Sequence, residues 1–175
     1  MVTVKKLSNG LRAVMEEIPY VRSISLGIWV KNGSVNESRE LNGISHFIEH
    51  MMFKGTAKRN ARDIAEEMDA VGGQINAYTT KEYTCYHTRM LDKHFDIAFD
   101  ILSDMFLNSK FSDEDILKER NVIIEEINMY EDEPEDMVHE ALQSEVWKGS
   151  SLGCRYLGKL PQYLNLTMKL YTDII

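Results

Sequence analysis

The hydrophobic period of this chain switches between two and about 3.6 in long blocks, and that switching limits the architectures open to it. Over the first residues apolar and polar positions alternate: Val2, Val4 and Leu7, then Leu11, Ala13 and Met15, with the turn-forming Ser8-Asn9-Gly10 between them. That spacing predicts a hairpin. The run Ser23 to Val30 is β-branched and aromatic, closes on Lys31-Asn32-Gly33-Ser34 and predicts a central strand. Helical spacing takes over from Gly43 to Phe53, and again from Arg62 to Val71, where Asn60 is the cap and Gly72-Gly73 the stop. Period two returns in Gln74–Thr80 and Glu82–Met90, separated by Lys81. Longer helical segments follow at 93–107, 113–130 and 135–147, with Ser112 and Pro134 opening the last two. Strands and helices that arrive in separate blocks predict an α+β fold: a largely antiparallel sheet with helices packed on one face. From Ser150 to Ile175 the pattern weakens and stops on an apolar tail, so the last structural unit is expected to be incomplete.

Composition narrows the function. With 175 residues, 43% apolar and 27% charged, the chain can bury a core, and residues 1–175 are expected to form one domain. The net charge of -8 argues against nucleic acid, whose phosphates call for clustered Lys and Arg. The longest apolar stretches, 24–30 and 122–124, fall far short of the roughly 20 residues that span a bilayer, so no membrane partner is expected. Met1 to Asn9 carries lysines with no apolar run behind them, which predicts no secretory signal and a cytoplasmic setting. Two cysteines, Cys85 and Cys154, are too few for a disulfide framework or a four-thiolate zinc site.

The chemistry concentrates in His46-Phe47-Ile48-Glu49-His50, within the first helical segment. At about 100° per residue, His46 and His50 lie roughly 40° apart, and Glu49 falls on the adjoining side of the same face. Two imidazoles one turn apart can hold one zinc ion, and the carboxylate beside them is placed to take a proton from a water activated there. His-x-x-Glu-His is a zinc-peptidase motif, inverted relative to His-Glu-x-x-His. Such a site needs a third protein ligand and an open position for water.

Segment 113–130 supplies the candidates. With Ile116 as origin, Arg120, Ile123, Ile124, Ile127 and Tyr130 form one inward stripe, Glu119 and Glu126 share its edge, and Glu125 points the other way. Glu126 can therefore reach the interior, and Glu119, one heptad earlier, is placed to orient or charge-balance the site. The same pattern is also what a charged rim along any core helix looks like.

These residues together resemble the pitrilysin or insulinase-like metallopeptidases, a family that includes the mitochondrial processing peptidase and bacterial processing proteases. The resemblance rests on residues 46–50 and on Glu119-Arg120-Asn121-Val122-Ile123-Ile124-Glu125-Glu126-Ile127, in which Glu126 follows His50 after 75 residues. Leu7-Ser8-Asn9-Gly10-Leu11, Gly43-Ile44-Ser45-His46, Met52-Phe53-Lys54-Gly55-Thr56 and Gly72-Gly73-Gln74-Ile75-Asn76-Ala77-Tyr78-Thr79 support it, and it covers about residues 2–160. It implies one Zn2+ ion held by His46, His50 and Glu126, Glu49 as general base, and Glu119 as a supporting carboxylate. It further implies that Gly73 to Ala77 is an edge strand to which an extended peptide adds, with Asn76 and Ala77 as substrate-binding residues. The implied activity is that of a zinc metalloendopeptidase acting on extended peptides or unfolded polypeptides.

Members of that family are built from two related halves enclosing a chamber, and this chain is too short to hold both. The resemblance thus implies an incomplete metallopeptidase half-domain, truncated at its C-terminal side and working with a homologous second half or as a homodimer. The rival is a peptide- or partner-binding subunit that does not cut. A third reading, zinc chemistry on a small molecule, would need Cys85 or Cys154 at the metal in place of Glu126. His87 reads as a packed or edge histidine, His94 and His139 as helix-surface residues, Cys85 as an inert buried thiol, the methionines as core filler, and Glu131 to Asp136 as a solvated connection.

Overall fold

The hairpin forms where alternation and the Ser8-Asn9-Gly10 turn place it: β1 (Val2–Lys6) pairs antiparallel with β2 (Arg12–Glu16), Val4 opposite Val14. In this computed structural model, which describes residues 1–155 and 157–164, the hairpin is a two-stranded sheet of its own, and most of its residues are exposed. The expected unfinished last unit falls largely on residues 165–175, outside the described residues.

A second sheet has the order β3-β5-β4, all antiparallel, built from β3 (Ser23–Val30), β4 (Gln74–Thr79) and β5 (Thr84–Leu91). The expectation of β3 as the central strand is corrected here. β5 is central, and β3 and β4 each pair with it on one side, so among the described residues both have an open edge. The reason lies in how β3 spends its apolar residues. Leu26, Ile28 and Val30 pack toward the helices, whereas Trp29 stays 64% exposed on the opposite face, folded back so that a Cβ on Gly27 would lie 2.7 Å from its ring. An apolar strand covered on one face and carrying an aromatic on the other reads, by composition alone, like one covered on both.

The helices cover one face of this sheet, as expected. They are α1 (Ile44–Met52), α2 (Ala61–Ala70), α3 (Phe95–Asn108), α4 (Asp113–Glu131), α5 (Pro134–Val146) and a short α6 (Leu160–Leu164). Asn60 caps α2, its side chain accepting from the amides of Arg62 and Asp63, and Ser112 caps α4 through the amide of Asp115. α1 is layered between the sheet and α4. Phe47 and Met51, both fully buried, pack against Ile116, Ile123 and Ile127 of α4, while Met52 packs with Tyr86 of β5 and Leu102 of α3. Each fully buried side chain of this size contributes about 1.5–3 kcal/mol, so apolar burial is a main support of the α1–α4 contact. Among the described residues no helix is long and apolar enough to cross a membrane.

Candidate metal centre

The start of α1 is fixed from outside the helix. Gly43 sits at φ 97°, and a side chain there would collide with the Tyr163 hydroxyl and the Leu157 carbonyl. The Glu37 carboxylate accepts from the amides of Gly43 and Ser45, each at 2.7 Å, and from the Asn42 side chain at 3.0 Å. A carboxylate on the free amides of a helix N-terminus satisfies them and favours the positive end of the helix dipole. Glu37 was not singled out by sequence, because the segment before Gly43 has no period and no cap motif at Gly43 itself.

From that anchored helix His46 and His50 project toward α4 with ring centroids 4.6 Å apart. Glu126 meets both: its two oxygens lie 3.8 Å from His46 Nε2 and 3.6 Å from His50 Nε2. One donor atom from each of the three residues falls within 4.8 Å of the others. Tetrahedral bonds of about 2.1 Å put neighbouring ligand atoms about 3.4 Å apart, so the three donors lie within about an ångström and a half of a zinc-binding arrangement, a gap that side-chain rotation can close. The donor set fits as well. Burial, then the neighbouring His50, pull His46 down to about 3, which keeps its imidazole neutral and able to donate a lone pair. Burial pushes the Glu126 carboxyl up, and His50 opposes this; a cation between them would reverse that burial effect.

Glu119 sits where the heptad argument put it and is more deeply placed than a rim residue, at 5% exposure. It accepts from His50 Nδ1 at 3.1 Å and from Lys54 Nζ at 2.6 Å. A carboxylate on Nδ1 makes that nitrogen the N–H and leaves the Nε2 lone pair facing Glu126. Lys54 belongs to the motif run at 52–56 but was not assigned a role from sequence. Glu125 is exposed, pointing away as its position on the stripe required.

Glu49, beside the ligand face of α1 and near enough to feel His50 and Glu126, reaches toward the sheet. Its Oε2 accepts from Thr79 Oγ1 at 2.5 Å, at the end of β4. Burial raises the Glu49 carboxyl above the usual range, and the Thr79 bond pulls the other way. The Thr79 contact could have been anticipated, since alternation puts Thr79 on the same face as Ala77, the face that meets α1. β4 is an edge strand, as the resemblance implied. Ala77 faces the helices, whereas Asn76 is exposed on the outer face, where its Oδ1 accepts from the Ala77 amide at 2.8 Å.

The remaining candidates fall away from this cluster. Cys85 is buried on the outer sheet face between Trp29 and Tyr78, with burial raising its thiol, and no cysteine joins the donor group among the described residues. His87 packs against Tyr78 on that face, in the central strand, and His139 is exposed on α5.

Comparison with known proteins bears on the family and the fold. Residues 12–159 match the family described as insulinase (peptidase family M16). A Bacillus subtilis protein named uncharacterized zinc protease YmxG is 52% identical over 150 residues, which are 86% of this chain and 37% of that protein. The crystal structure of a protease from Helicobacter pylori superposes with a TM-score of 0.93 at 22% identity, covering 99% of this chain and 42% of the other. An inactive domain of peptidase M16 from Pseudomonas fluorescens superposes at 0.89 and 13% identity, over 98% of this chain and 42% of that one. At such identities these two structures speak for the fold alone. The chain spans well under half the length of the curated relatives it matches.

Proposed function

The chain belongs to the insulinase (M16) peptidase family, and from that premise we propose that it is the metal-bearing unit of a zinc metalloendopeptidase acting on extended peptides or unfolded polypeptides. The observation that carries this reading is the meeting of His46, His50 and Glu126, from two helices, with donor atoms within 4.8 Å. In it, His46, His50 and Glu126 hold one zinc ion. When bound, that ion supplies Lewis acidity to the substrate carbonyl and acidity to a coordinated water.

The chain's own residues do the rest. Glu49, between the ligand helix and the end of β4, takes the proton of the attacking water on its carboxylate and returns it to the leaving amine. Its burial holds that carboxylate above the ordinary range, which makes it a better base than an exposed glutamate. Thr79 holds one carboxylate oxygen so that the other faces the reaction. The substrate adds as a strand to the open edge of β4, aligned by backbone groups at Asn76 and Ala77. Glu119 fixes the tautomer of His50.

Glu49→Gln is expected to abolish hydrolysis of a quenched peptide while zinc stays bound. Full activity in that variant would remove Glu49 from the role of base. A second reading, a peptide- or partner-binding subunit that does not cut, is favoured by the small share of the relatives' length that the chain spans. Hydrolysis by the purified chain, alone or only when mixed with a homologous second half or as a homodimer, separates the two. The absence of hydrolysis in every mixture supports the non-cutting subunit.

A further inference from the structure

Where the open edge of β4, the outer sheet face and α2 meet there is a cavity of 650 Å³, lined among others by Ser25, Asp69, Gln74, Asn76, His87 and Arg89. We propose that this cavity is a subsite for an acidic side chain of an extended peptide paired with β4, with Arg89 as its charged anchor. The inference rests on the proposed docking of peptides at β4 and adds to it a substrate class.

Strand register carries the argument. Gln74 pairs with Arg89 and Asn76 with His87, all on the outer face, away from the ligand helix. Residues directly opposite one another in adjacent strands turn their side chains to the same face. A peptide strand laid beyond β4 therefore presents its residues opposite Gln74 and Asn76 to the cavity. Its residues opposite Ala77 and Thr79 turn toward α1 and Glu49. Arg89 stands two strand spacings from such a peptide, about 9.6 Å between backbones, a gap that an arginine and a glutamate side chain can close between them.

Arg89 is also uncommitted. Arg59 is bound to Glu67 of α2 and to Asp100 and Asp104 of α3, and Arg155 to Glu131 of α4 and Glu140 of α5. Arg89 is exposed on the sheet, and among the described residues it has no ion pair and no side-chain hydrogen bond. The Gln74 amide and the Ser25 hydroxyl beside it add donors. The carboxylate of Asp69, from α2, is the opposing influence in the same cavity and would draw a basic side chain. The guanidinium outweighs it, since its planar fork meets a carboxylate with two charge-assisted hydrogen bonds. The chain as a whole carries a charge of -8, which favours basic peptides everywhere. A preference for an acidic one must then have a local origin.

The test uses binding in place of hydrolysis. Fluorescein-labelled peptides rich in Thr and Val, identical except for one position holding Glu, Gln or Lys, are titrated with the Glu49→Gln chain and followed by anisotropy. At the best position in a scan, Glu is expected to bind about two- to fivefold tighter than Gln, the range expected of one ion pair to an exposed arginine. Arg89→Ala should remove that preference while leaving the Gln peptide unchanged, and Arg89→Glu should turn it toward Lys. Equal affinity for all three peptides, a Glu preference that survives Arg89→Ala, a Lys preference in the parent, or no binding of any peptide overturns the subsite. The first three outcomes overturn the subsite alone, whereas no binding of any peptide also removes the β4 docking it rests on; zinc-dependent hydrolysis is read in a separate assay.

Discussion

Replacing Glu119 by Gln keeps the shape of the side chain and changes only what it can accept. Glu119 has two partners that both donate: His50 Nδ1 at 3.1 Å and Lys54 Nζ at 2.6 Å. A glutamine has one oxygen to offer. If it faces Lys54, its NH2 group faces His50 and forces the ring to the other tautomer, which puts the proton on the nitrogen that faces Glu126. If it faces His50, the NH2 group meets the lysine ammonium. With Glu119 side chains only 7% exposed and Lys54 at 31%, the ammonium takes the oxygen and the histidine loses. Loss of a partner of this kind costs a metal site about 10–100-fold in affinity, or about 1.4–2.7 kcal/mol. The zinc affinity of Glu119→Gln, measured by competition with a chromophoric chelator, should fall in that range. Removing the lysine as well should restore it: in Lys54→Met/Glu119→Gln the oxygen is free to accept from His50, and the coupling between the two changes should be about 1 kcal/mol or more, within the usual range for contacting residues. A double variant no better than Glu119→Gln, or a single variant with unaltered zinc affinity, would refute the chain of contacts from Lys54 through Glu119 to His50.

Two further outcomes concern the scaffold. Ile123→Ala, which empties a fully buried position between α1 and α4, should cost about 2–5 kcal/mol in urea unfolding, and a loss below about 1 kcal/mol would mean that the two helices are not held by this contact. Burial pushes the Asp104 carboxyl up, but bonds from Thr56, Asn108 and Arg59 outweigh it and leave the group below its ordinary value of 3.8. The unfolded chain then holds this proton at a pH where the native state has lost it, so stability rises with pH through that window. The contribution is complete above about 3.8 and disappears as pH falls toward the native value; urea midpoints against pH should show a shallower acid limb in Asp104→Asn, and an unchanged limb would remove Asp104 from the acid response.

Helical period made the facing of the candidate donors legible, while the meeting of α1 with α4 and the choice of Glu126 as third ligand rested on the family resemblance. His46 and His50 share a face of α1 by spacing, and the same arithmetic chose Glu126 over Glu125, since Ile116, Ile123 and Ile127 fix which side of α4 is buried. What the sequence hid depends on pairing between distant segments. The place of β3 at the edge follows from which strands bond to β5, and β5 itself buries Tyr86, Thr88 and Met90 on one face and Cys85 on the other, so its alternation is blurred. Glu37 and Lys54 act through contacts set by loop paths and by the helix crossing, for which no local pattern exists.

The most direct measurement is X-ray absorption at the zinc edge on the purified, zinc-loaded chain, together with its metal content. One zinc per chain with only nitrogen and oxygen neighbours at about 2.0–2.1 Å, two of them imidazoles, and loss of that signal in His46→Ala, His50→Ala and Glu126→Ala, is the predicted result. A chain that takes up no zinc, a sulfur neighbour at about 2.3 Å, or an unchanged spectrum in Glu126→Ala would contradict it.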